Sequence, residues 1–552
     1  MAPIGLSVLF GLIGGLGSAG LIALIYAAVT LQDRPSYWSL LFTAVVLVVI
    51  LSRIAAALVV TRLAQQIIYE LRIDLSRKIL AAPLPCLQTL GAPRLLAVLT
   101  EDVATLAAAM QALPWLCVSA AIVLGCLVYM GFLSWTLLLL VAVTIIFGVA
   151  IFLLVKSKAH SALRSARQSQ DEVFTHFRGL TEGIKDLKLN RARREAFFSE
   201  GLEASAMACR DYSIAGQGRY ILAGNIANSL LFITVGVIVF GLPAQSIVPN
   251  PVLTGFVQAL VYLMAPLAGL VDTLPVLSRA RVALDRIHAL EETLTASSHQ
   301  SARRLGPLLF SGTLELAGIT HRYRREGEDL PFTLGPVDLI LWPGETVLLV
   351  GGNGSGKTTL ALLLVGLYAP EKGTIRLGGR TVNDANREQY RQHFAAVFSD
   401  FYLFESLLGF NNPELDAEAR AYLVQLKLDH KVRVENGRFS TVNLSQGQRK
   451  RLALLVAYLE DRPFYVFDEW AADQDPVFKK IFYTEILPSL KAKGKTVVVI
   501  THDDGYFHVA DRCLKLEEGR LTEMPVPVWR RETVPGRFTG DEWPNADAEM
   551  ST

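Results

Sequence analysis

Long apolar stretches without charged residues dominate the first half of the chain. The longest of them, from Val103 to Val155, contains no Asp, Glu, Lys or Arg. As one helix it would extend about 80 Å at 1.5 Å per residue, more than twice the roughly 30 Å hydrocarbon core of a bilayer. The stretch is therefore expected to fold back on itself near Gly131–Ser134.

Two further apolar regions predict two more helical hairpins. The region from Tyr220 to Val271 is uncharged, and a cluster of turn-forming residues interrupts it. That cluster consists of Pro243, Pro249, Asn250 and Pro251. The first fifty residues carry only the charges of Asp33 and Arg34, which lie between two apolar runs. Three hairpins predict six membrane-spanning helices. The first run lacks a basic start and is too long for the core of a cleaved signal peptide.

Basic residues are unevenly distributed between the connections of these spans. The short turns contain one basic residue, Arg34, whereas the long connections are rich in Lys and Arg. The positive-inside rule therefore places the long connections, both termini and the C-terminal half in the cytosol. The long connections are also amphipathic, so the spans are expected to continue into the cytosol as helices. We expect short transverse helices near Pro85–Leu90 and Arg178–Ile184, although simple juxtamembrane helices remain an alternative.

Composition agrees with a membrane protein. Hydrophobic residues make up 51% of the chain and the mean hydropathy is +0.36. The formal net charge of +2 gives no basic surplus for bulk binding of nucleic acid. The five cysteines are scattered and never spaced as CxxC, which is typical of small apolar side chains in a reducing compartment.

A glycine-rich turn in the second half carries the clearest chemical signal. An apolar strand at Thr346–Val350 leads into the turn, an apolar helix follows it, and the sequence fits G-x-x-x-x-G-K-[ST]. Backbone N–H groups of such a turn surround phosphate oxygens, and the helix N-terminus adds its positive dipole end. Lys357 would bind the outer phosphates of ATP, and the Thr358 hydroxyl would bind Mg²⁺. The predicted ATP-binding residues of the turn are Gly351, Gly352, Asn353, Gly354, Ser355, Gly356, Lys357, Thr358 and Thr359.

A second apolar strand, Phe464–Asp468, ends in two adjacent carboxylates. Beside the phosphate loop in a parallel sheet, this strand would deliver Asp468 to the edge where ligands bind. Asp468 would then hold the metal, and Glu469 would polarise the attacking water. Two acids at a strand end could also form a helix N-cap, but the phosphate loop favours the catalytic interpretation. A further apolar strand ends at Thr501 and His502, and His502 would contact the γ-phosphate.

Together these motifs make the chain resemble an ATP-binding cassette transporter with an exporter-type membrane domain over almost its whole length. Residues 444–448, LSQGQ, are similar to the family signature LSGGQ, with Gln446 in place of a glycine. The resemblance implies that Tyr323 stacks on adenine and that one chain is a half-transporter working as a homodimer. It also implies that the signature completes the ATP site of the partner copy, through Ser445, Gln446, Gly447 and Gln448.

The resemblance defines the domains that we expect. A membrane α-helical domain with six spans would occupy 1–292, and a linker would occupy 293–309. An α/β P-loop ATPase cassette would occupy 310–525. The polar, proline-rich segment 526–552 is expected to be a flexible tail.

Several positions depart from the usual exporter pattern. Ser399 stands where the family carries a glutamine that reaches Mg²⁺, so Ser399 and Asp400 are candidates for coupling through this loop. Asp475 stands at the matching aspartate after the second motif strand. These segments resemble one bacterial branch that exports cyclic peptides and peptide siderophores, including pyoverdine precursors, syringomycin and microcin J25.

The resulting expectation is ATP-driven export of a cyclic or modified peptide, a siderophore precursor, from the cytosol to the periplasm. The protein would lie in the lipid bilayer of a bacterial inner membrane, and periplasmic proteins could be further partners. Arg53, within the second span, is the candidate cargo residue. It could instead snorkel to the inner leaflet or pair with Asp272. Arg219, Asn225 and Asn228 are weaker candidates.

Two other functions remain open at this point: a lipid or amphiphile flippase with the same ATPase, and an ATP-gated regulator with little turnover. Six spans and the lack of a long coiled coil exclude a soluble DNA-repair ATPase.

Overall fold

The computed structural model describes residues 2–30, 37–241, 250–298, 312–323, 332–410 and 412–525. It divides into two compact units, one formed by Met1–Arg77 with Gly91–Glu292 and the other by Lys78–Leu90 with Thr293–Thr552. The predicted turn at 32–36, residues 243–249 of the predicted turn at 243–251, most of the linker and the tail 526–552 lie outside the described residues. Asn250 and Pro251, which were also expected in the second turn, begin a helix instead.

The N-terminal part of the chain contains helices and no strand among its described residues. Its α-helices are α1 (Ala2–Thr30), α2 (Trp38–Ala81), α3 (Leu84–Leu90), α4 (Ala92–Ala97), α5 (Val103–Leu133), α6 (Trp135–Glu182), α7 (Ile184–Leu189), α8 (Arg191–Ala196), α9 (Ala204–Gly236) and α10 (Asn250–Ser298). Single π-helical turns follow three of them, at Val98–Asp102, Phe197–Glu203 and Val237–Gly241. The last helix continues into the predicted linker, since α10 ends at Ser298.

Five segments of the described residues are long and apolar enough to cross a bilayer: Val8–Ala28, Trp38–Ala81, Ala92–Leu133, Arg191–Gly241 and Val252–Thr295. The remaining predicted span falls on α6, whose apolar part Trp135–Ile151 is shorter. The chain reverses where the uncharged stretch predicted it. Ser134 is extended, at φ −163° and ψ 117°, and its hydroxyl caps α6 by accepting a hydrogen bond from the Leu137 N–H.

Four short helices, α3, α4, α7 and α8, lie in the long connections, and two of them bear on the predicted transverse helices. The first, α3, begins after Pro83 and coincides with the predicted transverse helix at Pro85–Leu90. The second expectation, a transverse helix at Arg178–Ile184, was wrong in position because α6 continues to Glu182. Gly183 interrupts the helix there, and the short helix α7 starts at Ile184.

Small residues let the membrane helices approach closely. A Cβ at Gly14 would lie 2.9 Å from Ser52 Oγ of α2, and a Cβ at Gly11 would lie 3.3 Å from Cys117 Cβ of α5. Such stripes of small residues suit helices that cannot rely on the hydrophobic effect within lipid.

The second unit contains an α/β domain. Its strands are β1 (Leu314–Tyr323), β2 (Phe332–Leu341), β3 (Thr346–Val350), β4 (Lys372–Leu377), β5 (Arg380–Thr381), β6 (Phe394–Val397), β7 (Val434–Glu435), β8 (Arg438–Phe439), β9 (Phe464–Asp468), β10 (Thr496–Ile500), β11 (Arg512–Glu517) and β12 (Arg520–Met524). Its α-helices are α11 (Lys357–Leu364), α12 (Arg387–Arg391), α13 (Leu415–Gln425), α14 (Gln446–Glu460), α15 (Pro476–Ile481) and α16 (Leu487–Ala492).

The central sheet has the strand order β12-β11-β3-β10-β9-β6, in which all neighbours are parallel except β11 and β12. A second, antiparallel sheet has the order β2-β1-β4-β5. All residues of β3, β9 and β10 are buried, which explains their unbroken apolar sequences.

The pleat of β9 sorts its side chains between two cores. Tyr465 and Phe467 belong to one apolar cluster, whereas Phe464 and Val466 pack in another together with Leu360 of α11. Because side chains alternate along a strand, Asp468 points to the same side as Phe464 and Val466. The sheet therefore brings this carboxylate to the face that α11 covers.

Candidate active site

Three parallel strands end together at one edge of the central sheet. β10 pairs with both neighbours in register, with Ile500 opposite Leu349 of β3 and opposite Asp468 of β9. The phosphate loop, the two acids and the Thr501–His502 pair therefore follow three adjacent strands at the same edge, where parallel sheets bind their ligands.

The phosphate loop has a conformation that requires glycine. Gly351 and Gly356 have φ values of 155° and 102°. A Cβ at Gly356 would also lie 3.1 Å from the Phe332 ring. Lys357 is 6% exposed, and its ammonium donates to the carbonyls of Gly351 and Gly352 at 2.9 and 3.0 Å. The loop therefore holds the ammonium over its own centre.

The remaining loop residues divide by exposure. Residues 352–354 are exposed, and Thr359 is buried in the first turn of α11. The Ser355 hydroxyl is buried and has no hydrogen-bond partner among the described residues. A buried polar atom without a partner is expected to have a ligand, and an oxyanion in the loop would satisfy this hydroxyl.

Asp468 and Thr358 meet across the sheet edge. The Thr358 hydroxyl donates to Asp468 Oδ2 at 3.0 Å, while Oδ1 of this carboxylate is buried and has no described partner. Burial raises the pKa of Asp468, and the hydrogen bond from Thr358 opposes this shift. A buried carboxylate oxygen beside a hydroxyl fits a divalent cation, since Mg²⁺ prefers one or two protein oxygens together with phosphate and water. Among the described residues no group of three or more His, Cys, Asp or Glu could hold a metal alone.

Glu469 lies next to His502 in an unusual backbone conformation. Its φ and ψ are 50° and 34°, in the left-handed region, and its N–H donates to the Ile500 carbonyl at 3.1 Å. Glu469 Oε1 is 3.4 Å from His502 Nε2. The backbone turn therefore places the carboxylate beside the imidazole, while both side chains remain partly exposed.

Lys450 was missed by sequence reasoning. It is 2% exposed, and its ammonium donates to the Glu469 carbonyl at 2.8 Å and to Asp473 Oδ2 at 2.7 Å. The Trp470 indole N–H donates to the Lys450 carbonyl at 2.9 Å. A lysine within the otherwise apolar inner face of α14 was the available signal in the sequence.

The signature residues form the start of α14. Ser445 and Gln448 form a capping box, in which Ser445 Oγ accepts from the Gln448 N–H and Gln448 Oε1 accepts from the Ser445 N–H. Ser445 and Gln446 are exposed. The Gly447 carbonyl accepts a hydrogen bond from Gln474 Nε2 at 3.0 Å. This hydrogen bond connects the signature to the segment that follows β9.

Asp475 begins α15 and connects it to α14. It caps α15 by accepting from the Phe478 N–H at 2.9 Å, and its Oδ2 also accepts from Arg451. These contacts, the Phe478 amide first, lower the pKa of Asp475. Arg451 Nε donates in addition to Gln474 Oε1 at 2.8 Å. The signature helix and the segment after β9 are thus joined at several points.

The other predicted residues lie outside the cluster formed by the phosphate loop, Asp468, Glu469 and His502. Ser399 and Asp400 are exposed after β6, and the charge of Asp400 makes a minor contribution to raising the pKa of Asp468. The Tyr323 ring is 5.6 Å from the Phe332 ring, which in turn contacts Gly356. Arg53 belongs to the membrane unit, where Nη2 donates to Ser18 Oγ at 2.9 Å.

Sequence comparison matches both parts of the chain to one family. The profile described as ABC transporter matches residues 334–472, and the profile described as ABC transporter transmembrane region matches residues 4–242. The chain is 38% identical over 533 residues to the ATP-binding protein SyrD of Pseudomonas syringae pv. syringae, covering 93% of this chain and 92% of that protein.

More distant relatives differ in the cargo that their names state. An ATP-dependent lipid A-core flippase of Dechloromonas aromatica is 27% identical, covering 78% of this chain and 74% of the flippase. The mesentericin transport/processing protein MesD of Leuconostoc mesenteroides is 28% identical over 54% of this chain and 42% of MesD. A solved structure of a bacterial Atm1-family ABC exporter with ATP bound superposes with a TM-score of 0.71 at 18% identity, covering 95% of this chain and 94% of that one, which shows the fold.

Proposed function

Because the chain belongs to the ATP-binding cassette transporter family as an exporter half-transporter, we propose that it works as a homodimer in a bacterial inner membrane. The proposed cargo is a cyclic or modified peptide, a siderophore precursor, moved from cytosol to periplasm. The predicted family, the fold class and ATP hydrolysis coupled to transport are confirmed. The homodimer and the cargo are our proposal.

One observation supports the homodimer most directly. The chain carries a single phosphate loop and a single signature. Ser445 and Gln446 are exposed at the start of α14, and Gly447 bonds to Gln474. An exposed helix start is suited to an anion brought by another molecule, because the helix dipole is positive there. In a head-to-tail pair, that anion would be the γ-phosphate of ATP held in the partner's loop.

The roles of the site residues follow from their geometry. Lys357 and the loop N–H groups would bind the phosphates, and Tyr323 would stack on adenine. Glu469 would accept a proton from the attacking water, while His502, 3.4 Å away, would orient the carboxylate and contact the γ-phosphate. Thr358 and Asp468 would hold Mg²⁺, which neutralises charge developing between the β- and γ-phosphates.

The similarity of the chain to SyrD supports a peptide cargo. SyrD is the relative that matches nearly the full length at 38% identity, and the chain also resembles the peptide-exporting branch at its motifs. A flippase function is the second candidate, because lipid A-core flippases match 72–83% of the chain at 26–29% identity in several bacteria.

Glu469→Gln tests the proposed catalytic base and the proposed peptide transport in one experiment. The purified variant in proteoliposomes should bind ATP, lose at least about a hundredfold of its phosphate release, and fail to transport a cyclic peptide. Glu485→Gln, at an exposed position of the same domain, is the matched control. Unchanged phosphate release in Glu469→Gln would contradict the assignment of Glu469 as the catalytic base.

The same proteoliposomes distinguish the two cargo classes. The wild type should show ATP-dependent accumulation of a cyclic lipopeptide and no ATP-dependent movement of a fluorescent phospholipid. Movement of the phospholipid without the peptide would establish the flippase instead.

A further inference from the structure

A cavity of about 740 Å³ opens among α1, α2, α5 and α10 of the membrane unit. Its wall is largely apolar, with Leu21 from α1, Ile122 from α5 and Val261 from α10. Arg53 is the one charged side chain among the described residues that line it. Inserting an arginine at the centre of a membrane helix costs about 2.5–3.5 kcal/mol, so such a residue calls for a compensating role.

The neighbours of Arg53 orient it without neutralising its charge. Its Nη2 donates to Ser18 Oγ at 2.9 Å, and the Ser18 hydroxyl donates to the Gly14 carbonyl at 2.6 Å. A Cβ at Gly14 would lie 3.3 Å from Arg53 Cγ, so the bare backbone of α1 makes room for the arginine stem. Asp272, the possible ion-pair partner considered from the sequence, is not among the residues lining the cavity.

We propose that this cavity binds the carboxylate of an amphiphilic peptide cargo and that Arg53 recognises the carboxylate. The inference rests on the proposed export function, whose cargo class it narrows. A guanidinium carries five N–H donors in a planar fork that matches a carboxylate in a bidentate geometry. One of these donors is directed to Ser18, and the arrangement leaves others for a ligand.

Two further features of the cavity suit a peptide with an apolar body. Trp115 and Tyr262 contribute aromatic surface, and Gly269 allows α10 to approach Trp115 because a Cβ there would lie 2.6 Å from the indole Nε1. Pro266 has no N–H, so the Tyr262 carbonyl one helical turn earlier loses the donor that residue 266 would supply. An amide N–H of a peptide can satisfy such a carbonyl, whereas an acyl chain cannot.

The test compares two probes on the full-length protein in phosphatidylcholine nanodiscs without nucleotide. One probe is a dodecanoyl dipeptide with a free carboxylate, and the other is the same compound as its carboxamide. The wild type should bind the carboxylate about tenfold to a hundredfold more tightly, as expected for a hydrogen-bonded charge pair. Arg53→Gln should abolish this preference, Arg53→Lys should retain part of it, and Ser18→Ala should reduce it. Arg62→Gln, an exposed position on the same helix, should keep it.

Three results would overturn the inference: equal affinity of the wild type for both probes, no saturable binding of either, or a preference that survives Arg53→Gln. If Arg53→Gln is misfolded, as shown by aggregation on size-exclusion chromatography, Ser18→Ala decides in its place. Loss of the preference for the carboxylate probe when phosphatidylglycerol replaces phosphatidylcholine would indicate that a lipid occupies the cavity. That result would also reject a peptide as its ligand.

The inference and the proposed function can fail separately. ATP-driven peptide uptake without a carboxylate preference would leave the export function standing. A carboxylate preference at Arg53 without ATP-driven uptake would leave the binding site standing.

Discussion

Lys450 joins the helix that starts with the signature, α14, to Glu469, the proposed catalytic base of the same chain. Its ammonium is buried, donates to the Glu469 carbonyl and pairs with Asp473, whose side chain is 48% exposed. Burying a charge is costly unless it is well bonded, so an apolar side chain would suit this position better for stability alone. Glu469 has a left-handed backbone, a conformation that costs on the order of 1–3 kcal/mol in a residue other than glycine. We infer that Lys450 holds this conformation and is a positioning residue.

Lys450→Gln should therefore slow hydrolysis more than it weakens binding. Loss of a charged hydrogen bond worth about 1.5–3 kcal/mol predicts a kcat for ATP about tenfold to a hundredfold lower, with little change in ATP affinity. Steady-state ATPase kinetics and equilibrium binding of a fluorescent ATP analogue measure the two effects. Lys450→Arg should recover part of kcat, and the exposed Lys480→Gln is the control. A parallel loss of binding and turnover would indicate a general packing defect.

The proposed metal ligand Asp468 is expected to make the stability of the protein depend on pH. Burial raises its pKa, so in the metal-free protein the carboxyl contributes stability while protonated and loses that contribution as pH rises through the raised pKa. Without Mg²⁺, Asp468→Asn should therefore melt a few degrees above the wild type at pH 8, a shift corresponding to about 1 kcal/mol. The difference should shrink toward pH 4.

The same variant should lose the response to the cation. MgATP should raise the melting temperature of the wild type but hardly that of Asp468→Asn, which differential scanning fluorimetry can measure. Asp429→Asn, an exposed carboxylate of the same domain, should follow the wild type throughout. An equal MgATP shift in Asp468→Asn would contradict a metal role for this carboxylate.

At the scale of helices and strands, sequence patterns located the elements well where the signal was local. The uncharged run from Val103 to Val155, expected to fold back near Gly131–Ser134, predicted the hairpin between α5 and α6. The apolar strand before the phosphate loop is β3, and the apolar strand that ends in Asp468 is β9. The Arg178–Ile184 helix was misplaced because a charged amphipathic segment continues as helix until Gly183 interrupts it, a feature that the charge pattern does not mark. Lys450 escaped notice because its partners follow β9, and only the fold brings them under α14.

The short helix α3 makes a side-chain contact with the cassette inside one compact unit. It follows α2 directly in the chain and belongs to the same compact unit as the cassette. The Tyr368 hydroxyl, in the turn after α11, donates to Gln88 Oε1 of α3 at 2.5 Å. Burial raises the pKa of Tyr368, and this hydrogen bond opposes the shift. The contact thus connects α3 to the segment that follows the phosphate-loop helix.

Gln88→Ala should uncouple hydrolysis from transport. Loss of one hydrogen bond worth about 0.5–1.5 kcal/mol predicts two- to tenfold more ATP hydrolysed per peptide moved, with basal hydrolysis nearly unchanged. Paired measurements of phosphate release and peptide uptake in proteoliposomes give this ratio. Thr89→Ala is the neighbouring control, because its hydroxyl bonds only within α3, to the Pro85 carbonyl. An unchanged ratio in Gln88→Ala would show that this contact carries no coupling.

At the scale of the whole molecule, hydrogen bonds tie the signature to the strand end that carries Glu469 in the same chain, whereas the proposed homodimer would bring the signature to the partner's ATP. The phosphate loop, Asp468 and Glu469 follow adjacent strands. The signature bonds to the segment after β9 through Gly447 and Gln474, and Lys450 ties α14 to the backbone of Glu469. In the proposed homodimer, a signature that moves onto the partner's nucleotide would therefore pull on Glu469 of its own chain. This connection would let each of the two proposed ATP sites respond to the other.

Complementation between two inactive copies tests this arrangement. Lys357→Ala removes the loop charge, and Ser445→Asp keeps an N-cap residue at the start of α14 while adding a carboxylate that repels phosphate. If sites are shared, a dimer of one Lys357→Ala copy and one Ser445→Asp copy retains one intact site. A dimer of a double mutant and a wild-type copy retains none.

The mixed dimer with one substitution on each chain should therefore hydrolyse ATP faster than the mixed dimer with both substitutions on one chain. Differently tagged copies, co-expressed and purified through both tags, should hydrolyse ATP at up to about half the wild-type rate when the substitutions lie on separate chains. The rate should fall to the background of Lys357→Ala when both lie on one chain, and Ser445→Thr should behave as wild type in either pairing. Self-contained sites would reverse the order, because the double mutant would then leave its wild-type partner with a complete site of its own.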